Sequence, residues 1–127
     1  MNNLFQITAW DETAYLENED GSKKSHANIT QTYSGLIEGS SELQYLMSYQ
    51  NTASALFVGF ELITGKINGK AGTVTLQHNG KFENGVASSR FTIVSGSGTA
   101  DLAGLEGEGS FISGEAGQAS YQLNIHP

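Results

Sequence analysis

Two residues of this chain lie where a polar side chain needs a physical reason. His78 shares a strand face with Val74 and Leu76. An imidazole titrates near neutrality, so a histidine on an apolar face could serve as general acid or base. The plainer alternative is a buried histidine hydrogen-bonded to a neighbour. Glu61 falls inside the most apolar stretch, Leu56 to Ile63. A carboxylate there must be paired, protonated or facing a cavity, because unpaired burial is costly. Arg90 is the sole arginine and lies on a later strand, so a Glu61–Arg90 pair across the interior is the structural expectation. Glu42, beside a run of tyrosines, is the other interior carboxylate candidate. Tyr33, Tyr45, Tyr49 and Tyr121 fall on the apolar faces of their strands. Such tyrosines either line a pocket, offering an apolar wall with a polar handle, or simply fill a core.

Other chemistries find no support. There is no cysteine, hence no disulfide, thiolate ligand or cysteine nucleophile. The three histidines, His26, His78 and His126, show no metal-binding spacing, and no metal or cofactor is expected. No Ser–His–Asp spacing and no paired-carboxylate motif stands out. The glycine-rich run Ser95 to Gly109 lacks the G-x-G-x-x-G spacing of a phosphate cradle. The segment Gly65 to Lys70 resembles a P-loop, but its spacer is one residue short and Ala71 follows the lysine. Thirteen acidic against six basic residues give a net charge of −7. Phosphate-backbone binding rests on clustered Lys and Arg, so nucleic acid is not an expected partner. No run approaches the ~20 apolar residues of a membrane span. Met1-Asn2-Asn3 opens no signal peptide, and the expected location is cytoplasmic.

These side chains need strands to hold them. The 127 residues suit one domain, residues 1–127, with a real core. Ala27, Ile29, Gln31 and Tyr33 alternate with polar residues, as do Leu43, Tyr45, Met47 and Tyr49. Leu4 to Trp10 reads as a strand followed by an acidic stretch, Asp11 to Asp20. Glu42 to Gln50 also has a helical spacing, but the tyrosines favour a strand. Ala55 to Ile63 is apolar on both faces, so both faces are expected to be covered. Thr73 to Asn79, Val86 to Val94, Gly107 to Ser113 and Ala119 to Ile125 bring the count to about eight strands. Asp20-Gly21, Asn68-Gly69, Asn79-Gly80 and Asn84-Gly85 read as hairpin turns. Closing eight short antiparallel strands into an up-and-down barrel removes exposed edges. In such a barrel Leu102 and Leu105, from the glycine-rich run, would plug one end.

That run resembles the Gly-rich segment of the allene oxide cyclase and dirigent barrels. The chain is more closely similar to a small bacterial family of unknown function grouped with that fold. The resemblance runs through Trp10-Asp11-Glu12, Thr30 to Gly35, Glu42 to Tyr45, Phe57 to Glu61, Gln77 to Gly80 and Ser95 to Gly109. It implies an all-β, eight-stranded antiparallel closed barrel of the allene oxide cyclase type. It implies no activity, and no cyclase residue maps onto this chain. Ala100 stands where the pattern leads one to expect glycine.

Three functions fit these observations. The first is a barrel that binds an apolar small molecule, with Tyr33, Tyr45, Tyr49 and Tyr121 around it and Glu61, His78, Glu42 or Arg90 fixing one polar group. The second is an isomerase or cyclase in which Glu61 or His78 moves a proton. The third is an interaction module with a filled core. A cavity of about 300 Å³ or more would favour the first two. A homo-oligomer, dimer or trimer, is expected because outward Phe and Ile side chains need a cover.

Overall fold

The computed structural model describes residues 2–127; Met1, part of the N-terminal reading above, lies outside them. Eight antiparallel strands follow one another: β1 Leu4–Glu17, β2 Lys23–Ser34, β3 Ile37–Asn51, β4 Ser54–Ile67, β5 Lys70–Glu83, β6 Val86–Ile93, β7 Gly107–Ser113 and β8 Gln118–Ile125. Each pairs with its neighbour in sequence, and β8 pairs back onto β1, so one sheet rings round. The alternative helix over Glu42 to Gln50 is part of β3. No helix among the described residues is long and apolar enough to cross a membrane.

Alternation decides which side chains enter the ring. Ala27, Ile29 and Gln31 of β2, Leu43, Tyr45 and Met47 of β3, and Val74, Leu76 and His78 of β5 all point inward and are buried. Type I′-like turns at Asn68-Gly69 and Asn84-Gly85 keep φ positive at both residues, as two-residue hairpins require. Asn79-Gly80 is not a turn but lies within β5. Gly80 sits opposite Phe57, and a Cβ on it would meet the Phe57 ring at 2.3 Å. The same arrangement recurs where Tyr45 covers Gly59 and Phe91 covers Gly109 on the paired strand. Three of the glycines are thus the seats of three interior aromatic rings.

The two ends of the ring differ. At one, the connection from β6 to β7 folds inward through one turn of 3-10 helix, Ala100–Leu102. Leu102 is fully buried and Leu105 packs on the same cluster as Ile37, Ile63, Ile67 and Val74. Ala100 sustains φ +51, the left-handed region that explains why glycine would be at home there. At the other end β1 departs from the ring. Only Leu4, Phe5 and Gln6 pair with β8, whereas β1 follows β2 as far as Glu17. A bulge between Ile7 and Ala9 shifts the register, so that Glu12 and Ala14 become the half-buried positions after Phe5 and Ile7. The acidic stretch therefore begins inside a strand, not after one.

The outer face departs from expectation at β4. Leu56, Val58, Phe60 and Leu62 alternate with buried residues and are each about half exposed. No element among the described residues covers them.

Candidate functional site

Glu61 and His78 meet in the middle of the ring. Strand β4 carries Glu61 inward with Ile63 and Phe57, and β5 carries His78 inward with Leu76. His78 Nε2 lies 2.7 Å from Glu61 Oε1, and both side chains are closed to solvent. On the far side of the imidazole, Nδ1 is 2.9 Å from the Ser89 hydroxyl of β6. Ser89 donates its hydrogen to the backbone carbonyl of Arg90 at 3.1 Å. Nδ1 therefore bears a hydrogen and gives it to Ser89. The other carboxylate oxygen, Oε2, accepts from the Tyr33 hydroxyl, and also from Gln31 Nε2 at 3.3 Å. One proton remains to be shared across the 2.7 Å contact. Whether it sits on imidazole or carboxyl, the pair as a whole carries no net charge, which makes its complete burial tolerable. The rings of Tyr45, Phe91 and Phe111 pack around His78 with centroids 5.2 to 5.7 Å away.

Tyr45 is the unsatisfied member of the cluster. It is 4% exposed, and its hydroxyl has no hydrogen-bond partner among the described residues. Burial first, and the Glu61 charge second, push its ionisation well above that of an ordinary tyrosine. The same two causes act on Tyr33. Tyr45 and Gln31 also line a narrow apolar crevice that runs toward the open end of the ring. Phe5, Ile29, Met47, Phe57, Phe82 and Phe111 form its walls, and Trp10, Gly117 and Gln118 its rim. Its free volume is about 70 Å³, well short of a cavity for a drug-sized ligand. Most of the interior is filled by side chains.

A second polar cluster stands at this rim. Glu12 accepts hydrogen bonds from Ser25 at 2.5 Å, Tyr49 at 3.0 Å and Trp10 Nε1 at 3.0 Å. Lys23 lies over the Tyr49 ring, 4.7 Å from its centroid. Partial burial alone would raise the Glu12 carboxyl, but the bonds from Ser25, Trp10 and Tyr49, with Lys23 nearby, outweigh it and hold the carboxyl below its usual range. Burial and the Glu12 carboxylate together push Tyr49 up to about 12.

The structure brings together Glu61, His78, Tyr33 and Tyr45, packs the Tyr121 ring edge-on against Tyr33, and leaves the other expected residues elsewhere. Tyr49 belongs to the Glu12 cluster. Tyr121 is buried toward the plugged end, where its hydroxyl donates to Ser34 O at 2.9 Å and accepts from Ile37 N at 2.8 Å. Arg90 and Glu42 are corrections: both side chains are exposed on the outer face. Inward positions on β6 are Ser89, Phe91 and Ile93, and on β3 Leu43, Tyr45 and Met47, so each charged residue is one step out of phase. No Glu61–Arg90 pair forms. Arg90 instead lines an open outer groove of about 540 Å³ with Asn79, Lys81 and Ser88. Ser89 was readable only from its phase with Phe91, and Gln31 only from its place between Ile29 and Tyr33. Among the described residues no three His, Asp or Glu side chains converge as a metal site would require.

An all-β ring of eight antiparallel strands, built around a buried carboxylate–imidazole–hydroxyl network, is the class that fold and site define. Within it, the chain belongs to the family described as "Protein of unknown function (DUF3224)", matched over residues 1–125. It is similar to a crystal structure of a protein with unknown function from the DUF3224 family of Shewanella oneidensis MR-1, at 26% identity and a TM-score of 0.74. That likeness covers 99% of this chain and 96% of the other. No curated protein matches.

Proposed function

We propose that the protein is an allene oxide cyclase-like barrel that binds a small apolar molecule through the crevice at its open end. The carrying observation is the enclosed apolar crevice whose lining includes Tyr45 and Gln31. Ligand sites typically combine such apolar walls with a few placed polar groups. The small free volume restricts the ligand to a slim group, with any bulk lying at the rim. Glu61 and His78 do not line the crevice, so this reading gives them the work of holding Tyr33, Gln31 and the site's shape. A cyclase or isomerase reading would need one of them against the substrate.

The test is a titration of the labelled protein with xenon and with short-chain hydrocarbons, followed by NMR. Shifts confined to Met47, Phe57, Phe82 and Phe111 are expected. Ala87 also lines the crevice, so Ala87→Leu should abolish the shifts while the circular dichroism spectrum stays unchanged. Absence of any shift in the wild-type protein would overturn the proposal.

A second reading, an assembling module, is favoured by one observation, the bare β4 stripe. Leu56, Val58, Phe60, Leu62 and the adjacent Leu46 together expose roughly 500 Å², at the upper end of the patches that monomers carry. With a polar rim that comes near the ~800 Å² per partner of a stable interface. We propose a homodimer through this face. Sedimentation should show a dimer for the wild type and a monomer for Phe60→Glu; a wild-type monomer at high concentration would sink this reading.

A further inference from the structure

Strand β1 carries an unpaired edge where it leaves the ring. Its pairing with β8 ends at Gln6, while β2 stays beside it as far as Glu17. Among the described residues no turn or loop backbone group bonds the other side of Ala9 to Glu17. Bulges interrupt β1 between Ile7 and Ala9 and again between Ala14 and Leu16. Between them, Ala9 to Ala14 keep an unbroken register with Thr30 to Ser25, which gives about 20 Å of regular edge. Along such an edge every second residue turns its N–H and C=O outward. Ala9 to Glu17 contains neither the proline nor the lysine that commonly blunts an edge. The side chains restrict what can pair there. Trp10 borders the crevice and bonds to Glu12, and Glu12 and Ala14 are half-buried, so these three share the inner face. Asp11 and Thr13 stand exposed on the outer face. Trp10, Tyr15 and Leu16 are each about half exposed. From Ala9 to Asp20 the chain carries Asp11, Glu12, Glu17, Glu19 and Asp20 and no lysine or arginine. Glu12 is held by Trp10, Ser25 and Tyr49, whereas Asp11, Glu17 and Glu19 enter no ion pair among the described residues. The nearest lysines stand at the far end, Lys24 opposite Leu16 and Lys23 over the Tyr49 ring.

We propose that the free edge of β1 docks an extended, basic segment of another protein, which adds to the sheet as a further strand antiparallel to Ala9–Ala14. Lysine or arginine side chains of the segment lie against Asp11, and alternate apolar ones against Trp10 and Ala14. Main-chain hydrogen bonds supply the affinity, and the unpaired carboxylates choose the charge of the occupant. The proposal goes beyond the crevice reading and does not depend on it.

The experiment titrates the labelled full chain with blocked octapeptides and follows its amides by NMR. The first peptide alternates lysine with valine, and the second has glutamate in place of lysine. A third and a fourth are the first peptide N-methylated at its valines or at its lysines. Methylating alternate residues strips the donors from one edge of an extended peptide and leaves the other edge intact. The lysine peptide should shift the amides of Ala9 to Ala14 and slow the hydrogen exchange of every second one. The glutamate peptide should not bind. One methylated peptide should bind like its parent, and the other should not. Asp11→Lys should weaken the lysine peptide about three- to fivefold, the worth of one exposed ion pair. Should that variant fail to fold, the four peptides on the wild type decide the matter alone. Equal binding of the lysine and glutamate peptides would overturn the proposal, as would equal binding of both methylated peptides. Shifts confined to other strands, or no binding at all, would do the same. Concentration-dependent broadening of the Ala9 to Ala14 amides without peptide would assign the edge to a second copy and overturn it too.

Discussion

Glu61 and His78 show how a buried charge pair is made tolerable by its surroundings. Every heteroatom of the two side chains has a partner: Ser89 on Nδ1, Tyr33 and Gln31 on Oε2, and the pair's own contact between Nε2 and Oε1. Removing one member leaves the others unpaired in a closed interior. Glu61→Leu should therefore cost about 3–5 kcal/mol, whereas the double variant with His78→Phe should recover much of the loss. Urea unfolding of the two single variants and the double variant measures this. At Glu12 the expected effect depends on pH. Its carboxyl is held below the ordinary value of 4.5, so its contribution to stability is complete above that pH and is lost as pH falls through the lowered folded value. The stability difference between wild type and Glu12→Gln should shrink as unfolding is repeated below pH 4.5. The two clusters were unequally legible. Glu61 and His78 announced themselves as polar residues in phase with apolar ones. Glu12 did not, because the bulge after Ile7 changes which residues of β1 face inward, and a bulge leaves little trace in the alternation.

At the scale of elements, aromatic rings seated on glycines set the spacing of neighbouring strands. Phe57 covers Gly80 across the β4–β5 pair, and a methyl group there would meet both the ring and the Ser88 carbonyl, at 2.3 and 2.5 Å. Gly80→Ala should destabilise the fold by about 1–3 kcal/mol, the usual cost of overpacking. It should also disturb the nearby Ser89–His78 contact, visible in the imidazole resonances. Most strands could be read from their period of two. Asn79-Gly80 misled because its composition is that of a turn, while its role is to admit the Phe57 ring from the preceding strand, β4. The free outer face of β4 was unreadable for a different reason. Apolar residues on both faces of a strand say that each face is desolvated somewhere, and they do not say whether by the same chain.

Across the whole molecule the ring is closed unevenly. The β4–β5 pair runs for fourteen register pairs, from Ser54↔Glu83 to Ile67↔Lys70, whereas β1 and β8 share three. The seam is helped by Ile7 N donating to Gly117 O at 2.9 Å and by Gln6 Nε2 donating to Ala116 O at 2.9 Å. Local opening follows the fewest contacts. Amide hydrogens of Leu4 to Ile7 and of Gln118 to Ser120 should exchange with solvent faster than those at the centre of β4, under native conditions and by mass spectrometry or NMR. Equal protection would show that the plug and core hold the seam as firmly as its neighbours. The sequence pattern could announce closure but not its weakest point, since short pairing comes from where β1 bends away, not from composition. That bend has a consequence for the solubility of the chain. From Ala9 to Glu17, β1 is bonded on one side only, to β2, so its other side is a row of free backbone donors and acceptors open to a strand from another copy. Asp11, Glu12 and Glu17 lie along that row. Their like charges, one copy against another, work as an electrostatic guard against stacking, and added salt, which screens them, weakens it.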